Sequence, residues 1–411
     1  MSGKWSLVAM VVLGCVAGWA GAADWPTYRG PTRDGWAPDQ GINKDWKNHP
    51  PKELWRITLG DDGYGGPAVA AGKLYIVDHK GAEDIVRAVD VTTGKDVWSF
   101  PYPDAPRPNY GFARATPVWD QGKLYTLSRI GNLYCLDAEK GTKIWTRNLR
   151  TDYLNAKSDW EYVASPVVDG DQLLVCPGGN AAWMGPGGNV CSVAALDKNT
   201  GKERWRGGSE KVTFATPEVA TLDGQRQYLV FAAASLMGLA PDTGALLWQL
   251  PWPTRNNFNT PQPIVIHGST IFLASDGTGP SCGLIQLTGG KPAAVWTHKD
   301  FRPLFSSAVL FEDHIYGVEE PGKLCCLDLK DGKVLWKQPG FEKGGLVAVD
   351  GVLIAMDGAH GDAIMIQLTP AGYQELGRIK PLGGNSWTAP IIVDGRLFIR
   401  NTRALVCLDL K

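Results

Sequence analysis

Several things are scarce in this sequence, and each scarcity excludes a class of function. Neither charge sign is in excess, since 41 Lys and Arg stand against 42 Asp and Glu, a formal net charge of −1. A nucleic-acid binder usually carries a basic surplus for phosphate, so that partner is not expected. Beyond residue 23 no apolar run approaches the ~20 residues that a membrane-crossing helix needs. Histidine is rare, six in 411, with no ligand spacing. His79, His298 and His360 therefore read as isolated surface residues, and no metal site is expected. There is no C-x-x-C, G-x-S-x-G, H-E-x-x-H or phosphate loop. Residues 63–68 fit G-x-G-x-x-A, but a strand pattern follows where dinucleotide binding needs a helix. What is abundant is Gly (50), Pro (28) and Trp (17). Gly and Pro break a chain into short elements, which excludes long helical bundles. Hydrophobic residues at 44% still supply a core.

Residues 1–23 read as an export signal. Lys4 gives a short positive start, residues 7–17 are apolar but too short to span a bilayer, and Ala20-Gly21-Ala22 is a small-x-small cleavage site. The mature chain is expected to begin near Ala23 or Asp24 and to lie in the periplasm or outside the cell. Leu13-Gly14-Cys15 also resembles a lipobox, so a tether through lipidated Cys15 stays open. Seven cysteines follow, an odd number, which argues against a full disulfide framework. Cys176 and Cys191 flank a Gly-rich loop and are the candidate bridge. Cys325 and Cys326 are adjacent in a strand, point to opposite faces and are expected to be unbridged.

One unit recurs along the chain. AVDVTTGKDVW (88–98), CLDAEKGTKIW (135–145), ALDKNTGKERW (195–205) and CLDLKDGKVLW (326–336) share a strand ending in Asp, a Gly-bearing turn and a strand ending in Trp. Trp55, Trp98, Trp145, Trp205, Trp248, Trp296 and Trp336 recur every ~47 residues. Hairpins such as GPAVAAGKLYIVD (66–78) and TPVWDQGKLYTLS (116–128) interleave with these units, eight in all. Four short antiparallel strands per ~45 residues indicate an all-β, eight-bladed β-propeller. The domain plan is a signal at 1–23, a lead-in segment at 24–52 and a propeller at 53–411. The chain stops before the eighth blade has an outer strand, whereas residues 53–59 form such a strand with no partner. They are expected to pair with residues 405–410 and close the ring, which removes sheet edges. The seventh blade has Gly377 where its Trp belongs.

The A-x-D-x-x-T-G-x-x-x-W unit at 88–98 and 195–205 resembles the tryptophan-docking motif of the pyrroloquinoline-quinone (PQQ) propeller repeat family, and Trp25-Pro26-Thr27-Tyr28-Arg29-Gly30-Pro31 is similar to the segment before many exported members. That family includes PQQ-dependent alcohol dehydrogenases and BamB-like periplasmic scaffolds of outer-membrane barrel assembly. The resemblance implies that each repeat Trp packs between blades near the next blade's turn peptide. It leaves open a non-catalytic scaffold and a PQQ- and calcium-dependent dehydrogenase, and a third reading, a saccharide-binding or polysaccharide-processing protein, rests only on the aromatic residues of the long connections. The scaffold is favoured because the carboxylates of the dehydrogenases map onto no motif here, and Cys325-Cys326 sits inside a regular repeat strand rather than a strained turn. No cofactor is expected, and the partner is an envelope protein or glycan bound to a monomeric propeller.

Long connections at 102–113, 150–163, 177–189, 252–259 and 276–282 are expected to open on one face. They carry Arg107, Tyr110, Tyr153, Trp160, Tyr162, Trp183, Met184, Trp252, Arg255 and Phe258, which are binding-anchor residue types. Three residues before each hairpin Pro the chain should enter the central channel. That column reads Tyr64, Arg114, Val163, Phe214, Phe258 and Trp387, an aromatic collar with one Arg that either holds a flat or anionic ligand or plugs the channel.

Overall fold

The computed structural model describes residues 24–60, 62–104, 111–153, 161–178, 191–210, 214–254 and 258–411. These residues fold into eight antiparallel sheets, of which seven have four strands and one gains a fifth. Blade 1 is typical. An inner strand, Ala68–Ala70, turns into Lys73–Lys80, then Glu83–Asp90, then an outer strand, Asp96–Pro103. The two middle strands are buried on both faces, and the outer strand alternates toward solvent. Among the described residues, no helix is long and apolar enough to cross a membrane.

The turn before each outer strand shows why the motif reads as it does. Asp90 accepts hydrogen bonds from Thr92 N, Thr93 N and Thr93 Oγ1, which folds the chain back on itself. Gly94 then adopts a left-handed φ of 70°, where only Gly is unstrained. A Cβ there would also lie 2.8 Å from the Trp55 indole, which rests on this peptide. The Trp55 Nε1 donates to Val91 O at 3.2 Å. The same bond links Trp98 to Ala138 O, Trp145 to Lys198 O, Trp205 to Pro241 O, Trp296 to Leu329 O and Trp336 to Thr369 O.

Each outer strand slips register by one residue just before the Trp position. Such a bulge bends the strand and raises its twist, which turns the indole toward the next blade. The extra residue is thrown outward, leaving Leu54, Val97, Ile144, Val295 and Leu335 as exposed apolar side chains.

Two blades depart from this rule. The turn of blade 5 is only Gly289-Gly290, too short to reach back. Trp248 therefore donates within its own blade, to Gln227 Oε1 at 2.6 Å. In blade 7, a Cβ on Gly377 would lie 2.4 Å from Cβ of Trp46. Trp46 comes from the lead-in, is 2% exposed and packs in the cluster shared by blades 7 and 8. The missing repeat Trp is thus replaced by one from outside the repeats.

The ring closes where the chain's ends meet. Lys52–Thr58 pairs with Ala404–Asp409, with Trp55 opposite Cys407. On the inner side Arg400, 2% exposed, donates to Gly63 O and Gly65 O. The lead-in crosses the channel on the face that carries the short turns. Trp25 exchanges two backbone bonds with Val69 of blade 1, and Pro26 O accepts from Trp119 N of blade 2. Arg33 reaches Val168 O of blade 3, Arg29 reaches Ala308 O of blade 6, and Trp36–Ala37 pairs in parallel with blade 7.

Two expected outcomes follow from the docking contacts. Trp205→Ala, at an 8% exposed indole, should lower stability by about 3–5 kcal/mol in chemical denaturation. Trp46→Ala should be comparably damaging although it lies outside every repeat, and a Trp46→Ala protein as stable as wild type contradicts its role between blades 7 and 8. Removing residues 24–60 should expose a sheet edge and cause aggregation, visible in size-exclusion chromatography.

Candidate functional site

Because every blade enters the channel in the same way, one side chain per blade falls at the same height. From blade 1 to blade 8 these are Tyr64, Arg114, Val163, Phe214, Phe258, Phe305, Lys343 and Trp387, and all eight line one cavity of about 490 Å³. Two residues further along each entry lies a second ring. It reads Gly66, Thr116, Ser165, Thr216, Thr260, Ser307, Gly345 and Ala389, again all lining the cavity. The floor is the lead-in, through Trp25, Tyr28, Arg29 and Gly35. Among the described residues the channel is closed on one side by the lead-in and bounded on the other by the collar.

The collar packs against itself. Tyr64 and Trp387 stack at 4.9 Å with planes 14° apart, and Phe305 and Trp387 stack at 6.0 Å and 16°. Phe214 meets Phe258 at 4.9 Å, and Phe258 meets Phe305 edge-on at 6.0 Å. Lys343 Nζ lies 4.7 Å from the Trp387 ring centre and 5.8 Å from that of Phe305, a cation–π arrangement. Arg114 is held by Glu161 at 3.2 Å. In the second ring the hydroxyls tie blades together. Ser165 Oγ accepts from Thr116 N, Thr216 Oγ1 from Ser165 N, and Ser307 Oγ from Gln262 N.

Behind Arg114 lies a buried polar network. Glu161 also binds Arg129, which pairs with Asp104 at 2.9 Å. Asp84 accepts from Tyr102 OH at 3.2 Å and meets His79 Nδ1 at 2.8 Å. His79 Nε2 faces the Gly81 carbonyl at 3.0 Å, so Nε2 donates. Nδ1 and the Asp84 carboxyl thus share one hydrogen bond. Burial, with the Asp104 charge adding to it, pushes that carboxyl up to about 8. His79, Asp84 and Asp104 place ligand atoms within 4.8 Å of one another. Those atoms are already engaged by Gly81, Tyr102 and Arg129, and the Arg129 guanidinium supplies the countercharge a cation would bring.

The sequence-derived candidates divide clearly. Tyr64, Arg114, Val163, Phe214, Phe258 and Trp387 converge on the pocket. Phe305 and Lys343 were missed because blades 6 and 7 lack the hairpin Pro, although counting three residues back from Ala308 and Leu346 reaches both. Trp252, read as a loop anchor, is instead a core residue: it is 2% exposed, donates to Ser275 Oγ and packs among apolar side chains of blade 5 such as Ile271 and Leu273. Tyr153 and Tyr162 are buried as well. His79 is not a surface residue but 1% exposed. It and Asp84 are cross-strand partners around Gly81, a hairpin register readable from the sequence. Cys176 and Cys191 are buried free thiols, and the bridge between them is not formed. Cys325 and Cys326 bury into different clusters on the two faces of blade 6. Arg107, Tyr110, Trp160, Trp183, Met184 and Arg255 lie outside the described residues.

A closed eight-bladed ring, indoles docked on glycine turns and a blind axial pocket define the class as a propeller of the PQQ-repeat type. The sequence model of the outer membrane protein assembly factor BamB family matches residues 46–107 and 82–338, and the chain belongs to that family. BamB of Yersinia pestis is 23% identical over 304 residues, covering 70% of this chain and 72% of that one. The quinohemoprotein alcohol dehydrogenase ADH-IIG of Pseudomonas putida is 31% identical over 146 residues, only 34% of this chain and 18% of the enzyme. Among solved structures, BamB from Moraxella catarrhalis superposes with a TM-score of 0.62 at 18% identity, covering 87% of this chain and 99% of that one. The quinohemoprotein alcohol dehydrogenase from Comamonas testosteroni gives 0.61 at 16% identity, covering 94% of this chain and 80% of the enzyme chain. At these identities the structural likeness concerns the fold.

The buried network sets a pH dependence. The folded protein holds the Asp84 proton that the unfolded chain releases near pH ~4. The folded state therefore binds more protons across roughly pH 4 to 8, and this site's contribution to stability falls as pH rises through that window. Asp84→Asn, which mimics the protonated form, should flatten the decline when guanidinium unfolding is compared at pH 5 and pH 8.5. An undiminished slope in Asp84→Asn contradicts the shared proton.

Proposed function

We propose that this protein is an exported, non-catalytic scaffold of the cell envelope that holds a partner protein of outer-membrane protein assembly on its long-loop face. The observation that carries this reading is the difference between the two faces. On the turn face the channel is crossed by the chain's own lead-in, whereas on the other face the described residues leave the collar uncovered. Family membership supports an assembly role, and the BamB relatives match along most of their length.

The lining of the pocket bears on the dehydrogenase alternative. Calcium takes six to eight oxygen ligands, several of them carboxylates. Among the described residues, the one carboxylate lining the cavity is Asp276, which is paired with Arg302. Neither Cys325 nor Cys326 lines it. These residues do not fit a PQQ–calcium centre. A glycan reading drew on loop aromatics, of which Trp252 is a packing residue.

The face assignment is testable by site-specific photo-crosslinking in the envelope. Probes at exposed Thr278 and Asn385, on the long-loop face, should give discrete adducts with a partner protein, whereas probes at exposed Lys140 and Lys330, on the turn face, should not. Adducts confined to the turn-face positions overturn the assignment.

A further inference from the structure

The two rings of the pocket differ in what they present to its axis. Around the collar, Tyr64, Trp387 and Phe305 stack face to face in near-parallel planes. Rings that face one another around a circle turn their edges toward its centre, and an aromatic edge is the positive part of the ring's quadrupole. Lys343 sits among them with no carboxylate in ion-pair distance among the described residues. Its backbone is left-handed, with φ of 52°, an uncommon conformation for a residue that is not Gly, Asn or Asp. The two residues after it explain how it is kept there. A Cβ at Gly344 would stand 1.7 Å from Met356 O, and one at Gly345 would stand 2.2 Å from Ala389 Cα. Only a glycine pair lets the chain pass so close to its own blade and to blade 8, which sets Lys343 at the mouth.

Below, the hydroxyl ring is also biased toward donation. The oxygens of Ser165, Thr216 and Ser307 already accept backbone N–H groups, and none of these hydroxyls donates to a described residue. Their protons are left for the cavity. All three residues are at most 5% exposed, so an acceptor placed there would be largely shielded from water. Thr260 Oγ1 is buried in the same wall with no partner among the described residues. Among the charged residues lining the pocket, Arg114 is paired with Glu161 and Asp276 with Arg302, which leaves the cations Arg29 and Lys343 without an acid opposite them in the lining. Aromatic edges, unspent hydroxyl protons and an unpaired ammonium all seek negative charge. The donors occupy the arc of blades 2 to 6, and Gly345, Ala389 and Gly66 leave room on the opposite arc for an apolar body.

We propose that the axial pocket is a binding site for a small organic acid whose oxyanion head, a carboxylate or a phosphate monoester, is held by Lys343 and the hydroxyl ring. Charge-assisted bonds of this kind are stronger than neutral ones, so the head should dominate affinity. This site does not depend on the scaffold reading, and its failure would leave the crosslinking result on the long-loop face unchanged.

The test is calorimetric titration of the full mature chain with benzoate, phenyl phosphate and uncharged benzyl alcohol. At least one anion should bind one-to-one and at least ~10-fold tighter than benzyl alcohol, and the preferred anion identifies the head. Lys343→Met should erase that preference, while Lys343→Arg should keep it. If neither anion binds more tightly than benzyl alcohol, or if Lys343→Met binds the preferred anion as wild type does, the proposal is overturned.

Discussion

An indole lying flat on a glycine peptide of the neighbouring blade is the contact on which the ring depends. A four-stranded blade cannot bury both of its faces alone, so each needs its neighbours, and the outer, wider part of the wedge between blades needs the largest filler. Trp supplies that volume, and its Nε1 satisfies a turn carbonyl at the same time. The glycine below it answers two demands together, a left-handed turn and the absence of a Cβ where the indole lies. The bulge before each Trp is the third component, since without the added twist the ring would point along the blade rather than across the gap. Where the neighbouring turn is shortened, as at Gly289-Gly290, the Trp keeps its place but finds its hydrogen bond elsewhere.

The regularity that this contact imposes is what makes the pocket specific. Eight equivalent entries place eight side chains at one level, and the fold is indifferent to their identity because they face the axis. Blade-to-blade packing therefore constrains the outside of the ring while leaving the inside free to vary. The variation is concentrated: aromatic residues hold one stretch of the collar, cations stand at blades 2 and 7, and hydroxyls occupy one arc of the level below. Arg114 differs from Lys343 in being tied through Glu161 and Arg129 to a buried acid pair. One cation is thus part of the framework and the other is not.

Much of this was legible because repeats place the same residue in the same environment many times. The Asp-turn-Gly and Trp of residues 88–98 state a blade's outer half completely, and the unpartnered strand at 53–59 points to the ring's seam. What could not be read depended on contacts that no period marks. Trp252 sits in a connection and looks like a binding anchor, yet the void between blades 4 and 5 claims it. His79 and Asp84 are close in sequence and Asp104 follows the outer strand of the same blade, but Arg129 joins them only through the packing of blade 2 on blade 1. The anchors at Arg107, Tyr110, Trp160, Trp183 and Arg255 belong to stretches with no repeat counterpart in the sequence and lie outside the described residues.

The substitution of Trp46 for a repeat Trp bears on the order in which this molecule can assemble. Trp46 leaves the ribosome early, whereas the gap it fills lies between the last two blades to be made. The same holds for the strand at Lys52–Thr58, whose partner ends two residues before the final Lys411. Native pairings across about 350 residues of intervening chain are rare in proteins that fold quickly, because the entropy of closing so large a loop is lost before the contact returns anything. A segment that precedes every repeat is therefore the last to find its place. Until the final blade exists, the lead-in has no gap to enter, the channel has no floor and the first and eighth blades present open flanks. A chain built in this way seals its ring only when both strands of the seam, and the gap that receives Trp46, are in place together.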